Sequence, residues 1–213
     1  MAVTKWSNVA VSMESAAAAT KTITNITKAS PAVISSTAHG YSNGDYVLLS
    51  IQGMYQMDKK VVRVASTTTD SFAAEGVDST SFETFSSGTA SKITFGTSIT
   101  TATSISASGG DFDFIDTTTI HVNIKQQIPG LPNPLNYTFD NLWDSADAGQ
   151  VAMKAASDAQ AQKCFKYQFG TGGKIMVFCG YVGFSGAPTG NAQDVVKSPA
   201  VITAYGSPTY YAS

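Results

Sequence analysis

The sequence predicts a mainly β protein carrying one helix, and three observations predict the β class. Ser and Thr number 25 each among 213 residues while only 13% are charged, against an ordinary charged fraction of roughly 25%. The hydrophobic fraction of 43% is too high for a solvated tail. Short apolar runs through residues 28–92 are cut by turn residues about every 8–12 positions, the spacing of a small barrel or sandwich. A single stretch, Asp144–Lys163, carries the longer period of a helix. At this length the chain buries about 70% of its extended surface, so its core needs neither metal nor disulfide support.

Val9-Ala10-Val11-Ser12-Met13 and Thr22–Thr27 alternate as half-buried strands do, with Ala16–Ala19 between them as one helical turn or a plain connector. Ala32–Ser36, Tyr46–Ile51, Val61–Ala65 and Ser71–Ala74 follow as strands. Asn43-Gly44 suits a turn needing positive φ. Gly96–Gly109, almost entirely Ser, Thr, Ala and Ile, reads as either a strand or a mobile loop. Thr118–Gln127 sets Ile120, Val122 and Ile124 against polar neighbours and is expected to be a strand with one apolar face. Ile128-Pro129-Gly130-Leu131-Pro132-Asn133-Pro134-Leu135 is expected to be a loop, since proline gives no ladder donor and restrains its predecessor. Apolar side chains on such a loop point to an interface.

The helix is expected over about 145–162, capped by Asp144 or Asp147, with Val151, Ala152, Ala155, Ala159 and Ala161 or Gln162 on one face. Cys164–Phe169 and Lys174–Ser185 flank Gly170-Thr171-Gly172-Gly173 as a hairpin. Its register puts Cys164 opposite Cys179. A bridge is geometrically possible there, but the absence of an export signal favours two buried free thiols. Asp194–Tyr205 closes the fold, and Gly206-Ser207-Pro208 is expected to release a tail ending in Tyr210-Tyr211.

Composition and motifs exclude several function classes. No apolar run reaches the roughly 18 residues of a membrane span, and the N-terminus lacks a basic-then-apolar leader, so a soluble chain without a membrane anchor is expected. A net charge of −2 with scattered Lys and Arg argues against tight nucleic-acid binding. Lys59, Lys60 and Arg63 come nearest to a cluster and read as the solvated end of a strand. Gly170–Lys174 resembles half of a phosphate loop, but a strand follows where a helix is needed. Asp111, Asp113 and Asp116 lack calcium-loop spacing and read as solvated carboxylates. With only His39 and His121 and no nucleophile elbow, no catalytic residue, metal site or cofactor is expected.

Taken in order, several features resemble the tail tube (major tail) proteins of long, flexible-tailed phages. These are Val9–Ser15, Phe112-Asp113-Phe114-Ile115-Asp116-Thr117-Thr118-Thr119, the helix Asp147–Ala156, the strand Phe165–Phe169, Val177–Val182 and Ser198–Gly206. His39-Gly40-Tyr41-Ser42-Asn43-Gly44-Asp45, Gly53-Met54, Gly76–Thr80 and Ser86-Ser87-Gly88 are similar to a small β module inserted in phage virion proteins. The resemblance implies a discontinuous tail-tube β-sandwich with a flanking helix (1–27 and 93–213) and an inserted small all-β, barrel-like module (28–92). It also implies a virion protein, assembled in the host cytoplasm. Six copies would close into a ring, and rings would stack into a hollow tube that passes DNA without gripping it. Tail-tip (initiator) and tail-terminator proteins are the expected further partners. The segment carrying Ile128, Pro129, Leu131, Pro132, Pro134 and Leu135 matches the family's ring-stacking loop in position, so deleting 129–134 is expected to leave a folded monomer unable to polymerise. Two rival readings remain: a virion decoration or adhesin binding host glycans through Tyr41, Tyr46, Tyr55 or Tyr210-Tyr211, and the tube protein of a related contractile secretion apparatus.

Overall fold

The structure, a computed structural model, describes residues 8–212; residues 1–7, the start of the expected first segment, lie outside them, as does Ser213. In chain order the elements are β1 (Val9–Met13), β2 (Ala16–Ala17), β3 (Lys21–Ile23), β4 (Asn25–Ile26), β5 (Val33–Ser35), β6 (Tyr46–Gln52), a 3-10 turn (Tyr55–Met57), β7 (Val61–Ala65), β8 (Ser71–Ala74), β9 (Ser87–Thr94), β10 (Thr97–Ile99), β11 (Ala102–Ser108), β12 (Phe112–Asp116), β13 (Gln127–Pro132), β14 (Asn136–Leu142), α1 (Ala148–Asp158), β15 (Gln162–Phe169), β16 (Ile175–Gly183) and β17 (Lys197–Tyr211). The mainly β expectation with one helix holds.

One seven-stranded antiparallel sheet runs β10-β1-β15-β16-β17-β14-β11. Its two edge strands, β10 and β11, are joined by only Thr100-Thr101, so the sheet must curl until its edges approach. The interior holds Val11, Met13, Tyr137, Phe139, Phe165, Tyr167, Phe178 and Ile202, with Tyr137 stacked on Phe178 at a centroid distance of 4.5 Å. Burial pushes the Tyr137 hydroxyl up to about 12. Helix α1 closes one side by burying Met153 and Ala156 in this core.

An eight-stranded sheet, β2-β9-β6-β7-β8-β5-β4 with β3 also on β9, occupies Ala16–Thr94. It continues directly from the first: Met13 pairs with Thr97 in the β1–β10 ladder, and Ala16 pairs with Thr94 in β2–β9. Ala16-Ala17 is thus strand, and the Thr22–Thr27 strand is split into β3 and β4, both within this second sheet. Its core gathers Ile34, Leu49, Met54, Met57, Phe72 and Val47. His39 belongs to that core: its Nδ1 accepts from Tyr41 N at 2.9 Å, which leaves Nε2 to donate to Ser71 O at 3.2 Å.

A third cluster joins the two sheets. Val61 and Ile93 pack with Cys164, Ile175, Val177, Cys179 and Tyr211. Because β16 is covered on both faces, Ile175–Gly180 is buried without interruption, which explains its run of apolar residues. The end of β17 fastens the junction. Thr209 Oγ1 donates to Val61 O (2.7 Å), Arg63 N donates to Tyr211 Oη (2.8 Å), and the Arg63 guanidinium lies over the Tyr211 ring while donating to Glu75 at 2.6 Å.

Several expectations are corrected. Gly206-Ser207-Pro208 does not release a tail: β17 runs on to Tyr211, which is buried because the second sheet gives it a surface. Cys164 and Cys179 sit in the expected register but are bridged, and no described cysteine is free; facing geometry decides where an argument from compartment did not. Helix α1 buries Gly149, Gln150, Met153 and Ala156, and Val151 is exposed. Its packing against β10 and β16 selects that face, with Gly149 close over Ser98 O and Gln150 Nε2 donating to Leu142 O (2.6 Å). Of the two expected caps, Asp147 serves, accepting from Gln150 N at 2.9 Å. Lys59, Lys60 and Arg63 are all half-buried rather than a solvated strand end.

Candidate functional site

The largest correction lies between residues 109 and 135. Thr118–Gln127 is not a strand: it forms the tip of a hairpin and its approach, leaving Ile120 95% and Ile124 78% exposed. The proline tract is not a loop: Gln127–Pro132 is β13, paired with β12. Prolines are tolerated because this two-stranded ladder has two free edges, where a missing N–H removes no bond. Register sets Ile115 opposite Ile128, Phe114 opposite Pro129 and Phe112 opposite Pro132, with a bulge between the last two pairs.

The hairpin leaves the seven-stranded sheet through Gly109-Gly110, both with positive φ (89° and 85°). A side chain at Gly109 would collide with Pro134 O, so glycine both permits the turn and admits the returning strand. Gly110 N donates to Asn133 O and Asn133 N to Asp111 O at the base, while Thr118 N donates to Asp116 Oδ1 and Gln126 N to Thr118 Oγ1 near the tip. The Thr118 hydroxyl and N–H hold the Asp116 carboxyl below the usual range.

Phe112, Phe114, Ile115, Ile128 and Leu131 are all at least half exposed, Leu131 at 86%. Of the six contact residues expected from sequence, Ile128, Pro129, Leu131 and Pro132 lie together on β13, and Pro134 is exposed at the base. Leu135 stands apart, packed against the core of the sheet. The sequence reading missed the opposite strand, Phe112, Phe114 and Ile115, and the tip residues Ile120 and Ile124 as surface residues. The alternation of Asp111 and Asp113 with Phe112 and Phe114 was the available signal.

A second feature is the seam where the curled sheet fails to close. A groove of about 640 Å³ runs between β1, β10 and β11, lined by Val9, Val11, Ile99, Thr103 and Ile105 among others. Among the described residues, β11 pairs only with β14, so its other edge carries unpaired backbone groups.

The tyrosines considered for glycan binding divide. Tyr41 is buried with its hydroxyl donating to Ala90 O, Tyr46 packs on Phe95, and Tyr211 belongs to the sheet junction; Tyr55 and Tyr210 are 69% and 67% exposed. Among the described residues no helix is long and apolar enough to cross a membrane.

No curated protein sequence matches the chain. A family model described as phage tail tube protein matches residues 52–213, three quarters of the length and both sheets. An exposed apolar hairpin on a curled, open-edged β sheet thus stands in a chain that belongs to the phage tail tube protein family.

Proposed function

We propose that this chain is the building block of a tail tube in which copies, six to a ring, close side by side and the rings stack into a channel for DNA. The observation that carries the reading is the β12–β13 hairpin. A lone two-stranded hairpin is marginal in water, and one bearing seven exposed large apolar side chains (Phe112, Phe114, Ile115, Ile120, Ile124, Ile128, Leu131) is built to be covered. In a ring-stacking role Ile128, Pro129, Leu131 and Pro132 make contact directly, Pro134 sets the base, and Leu135 anchors the arm to its own core. The free β11 edge and adjoining groove suit closure by a neighbouring copy, since unpaired strand edges are otherwise an aggregation hazard. Head-to-tail contacts that close laterally and repeat axially give a tube of indefinite length.

The net charge of −2 and scarce Arg suit a channel wall that lets phosphates slide past. Initiator and terminator proteins would cap the two open ends of such a stack, and assembly would take place in the host cytoplasm before the tail joins the virion. The chain performs no catalysis on this reading. We also place a module boundary at residues 14–15 and 95–96, flanking the Ala16–Thr94 sheet, in place of 28 and 92. Replacing 112–132 by a short turn tests the arm: a folded monomer that forms no tubes is expected, and normal tubes overturn the assignment.

A further inference from the structure

The arm leaves its own fold uncovered, and a surface of complementary chemistry lies elsewhere on the chain. A cleft of about 360 Å³ separates the second sheet from β17, with Tyr55, Lys59, Lys60 and Phe82 facing Tyr205 and Ser207. Two local features shape it. Residues 206–208 bulge from β17 opposite the single residue Phe178, with Gly206 at φ 77°. Met54 and Met57, fully buried, pin the 3-10 turn that holds Tyr55 outward.

The two lysines lack counter-ions. Lys59 Nζ donates to the neutral Ser50 Oγ at 2.9 Å, and neither Lys59 nor Lys60 forms an ion pair among the described residues. Asp58 also lines the cleft, its Oδ1 accepting from Ile51 N at 2.9 Å, so the two lysines leave the cleft with a single net positive charge. Burial lowers the Lys60 ammonium, a cost that an incoming anion would offset. The arm carries the complement: Asp111 and Asp113 are exposed carboxylates interleaved with Phe112 and Phe114, and Lys125 pairs instead with Asp116. Because these residues are exposed, the arm does not fill the cleft of its own chain.

We propose that the Asp111–Ile115 strand of one copy docks in the Tyr55–Lys60–Tyr205 cleft of another. The carboxylates meet the ammonium groups and the Phe rings lie against the exposed tyrosines. The inference rests on the reading of the hairpin as an assembly arm, and names the surface that receives it.

The test uses the full chain in two charge-reversed variants, Lys59→Glu/Lys60→Glu and Asp111→Lys/Asp113→Lys, each first shown to be folded by circular dichroism. Each variant alone is expected to stay unassembled where the unaltered chain forms tubes, because like charges now face each other. An equimolar mixture is expected to restore tubes by pairing opposite charges. Normal tubes from the cleft variant, or a mixture of folded variants that stays unassembled, overturn the docking. Should Lys60→Glu not fold, Tyr55→Ser decides: a critical concentration raised about tenfold supports the docking, and an unchanged one overturns it. Loss of tubes on hairpin truncation combined with normal tubes from the cleft variant removes this docking and leaves the arm reading intact. Tubes from both remove both. Saturation-transfer NMR with trigalacturonate is the remaining arm. Saturation of the sugar through the cleft, with normal tubes from the cleft variant, would identify an acidic saccharide as occupant and overturn docking by a second copy.

Discussion

Leu131→Ser separates assembly from folding at one residue. Leu131 is 86% exposed on β13 of the hairpin, so its removal costs the monomer little, within about 0.5 kcal/mol for a surface position. Burying a leucine fully yields about 1.5–3 kcal/mol. Scaled by its exposed fraction, Leu131 has about 1.3–2.6 kcal/mol to give on being covered. At 1.4 kcal/mol per tenfold, the critical concentration for assembly rises by roughly 10–70-fold. Sedimentation of a dilution series measures that concentration, and a thermal melt of dilute protein reports the fold. An unchanged critical concentration refutes the claim that the arm is covered on assembly. A melting temperature lowered by more than about 4 °C, the scale of a 1 kcal/mol loss in a chain of this size, refutes the claim that the arm is uninvolved in the monomer core.

Met153→Ala should destabilise by about 2–5 kcal/mol, since the side chain is fully buried between α1 and the curled sheet; denaturant unfolding measures it. Asp147→Ala removes the helix cap and should cost about 1 kcal/mol by the same assay. Replacing both cysteines by alanine opens a loop of 15 residues and should cost about 3 kcal/mol on the chain-entropy account; a melt equal to that of the parent would contradict it. The Glu75 carboxyl is held below its ordinary value by hydrogen bonding from Arg63. Its contribution at the sheet junction is therefore complete above the ordinary glutamate range and fades as pH falls through the lowered value. Hydrogen exchange at Val61–Ala65 should rise on that acid side, and rise less in Glu75→Gln.

Much of the fold was legible because its signals are local. The Gly170–Gly173 turn fixes the β15–β16 register, and closely spaced turn residues bracket β6, β7 and β8. What failed depends on partners distant in sequence. The face of α1 is chosen by β10 and β16, about 50 residues before it and 20 after. Tyr211 is buried only because β7 is there to receive it. The arm was misread for a related reason. Ile120, Val122 and Ile124 alternate as a strand should, but nothing in the monomer covers Ile120 or Ile124, and the actual ladder contains prolines that usually deny one. The apolar residues beside prolines are exposed as the sequence suggests, and their role as an interaction segment is the proposal made above.

The most direct measurement is negative-stain electron microscopy of the purified chain across a concentration series, alone and with a preassembled tail tip as nucleus. Hollow tubes of uniform diameter, absent when 112–132 are replaced by a short turn, are the predicted result. Dispersed monomers at every concentration, with the nucleus present, would contradict the account.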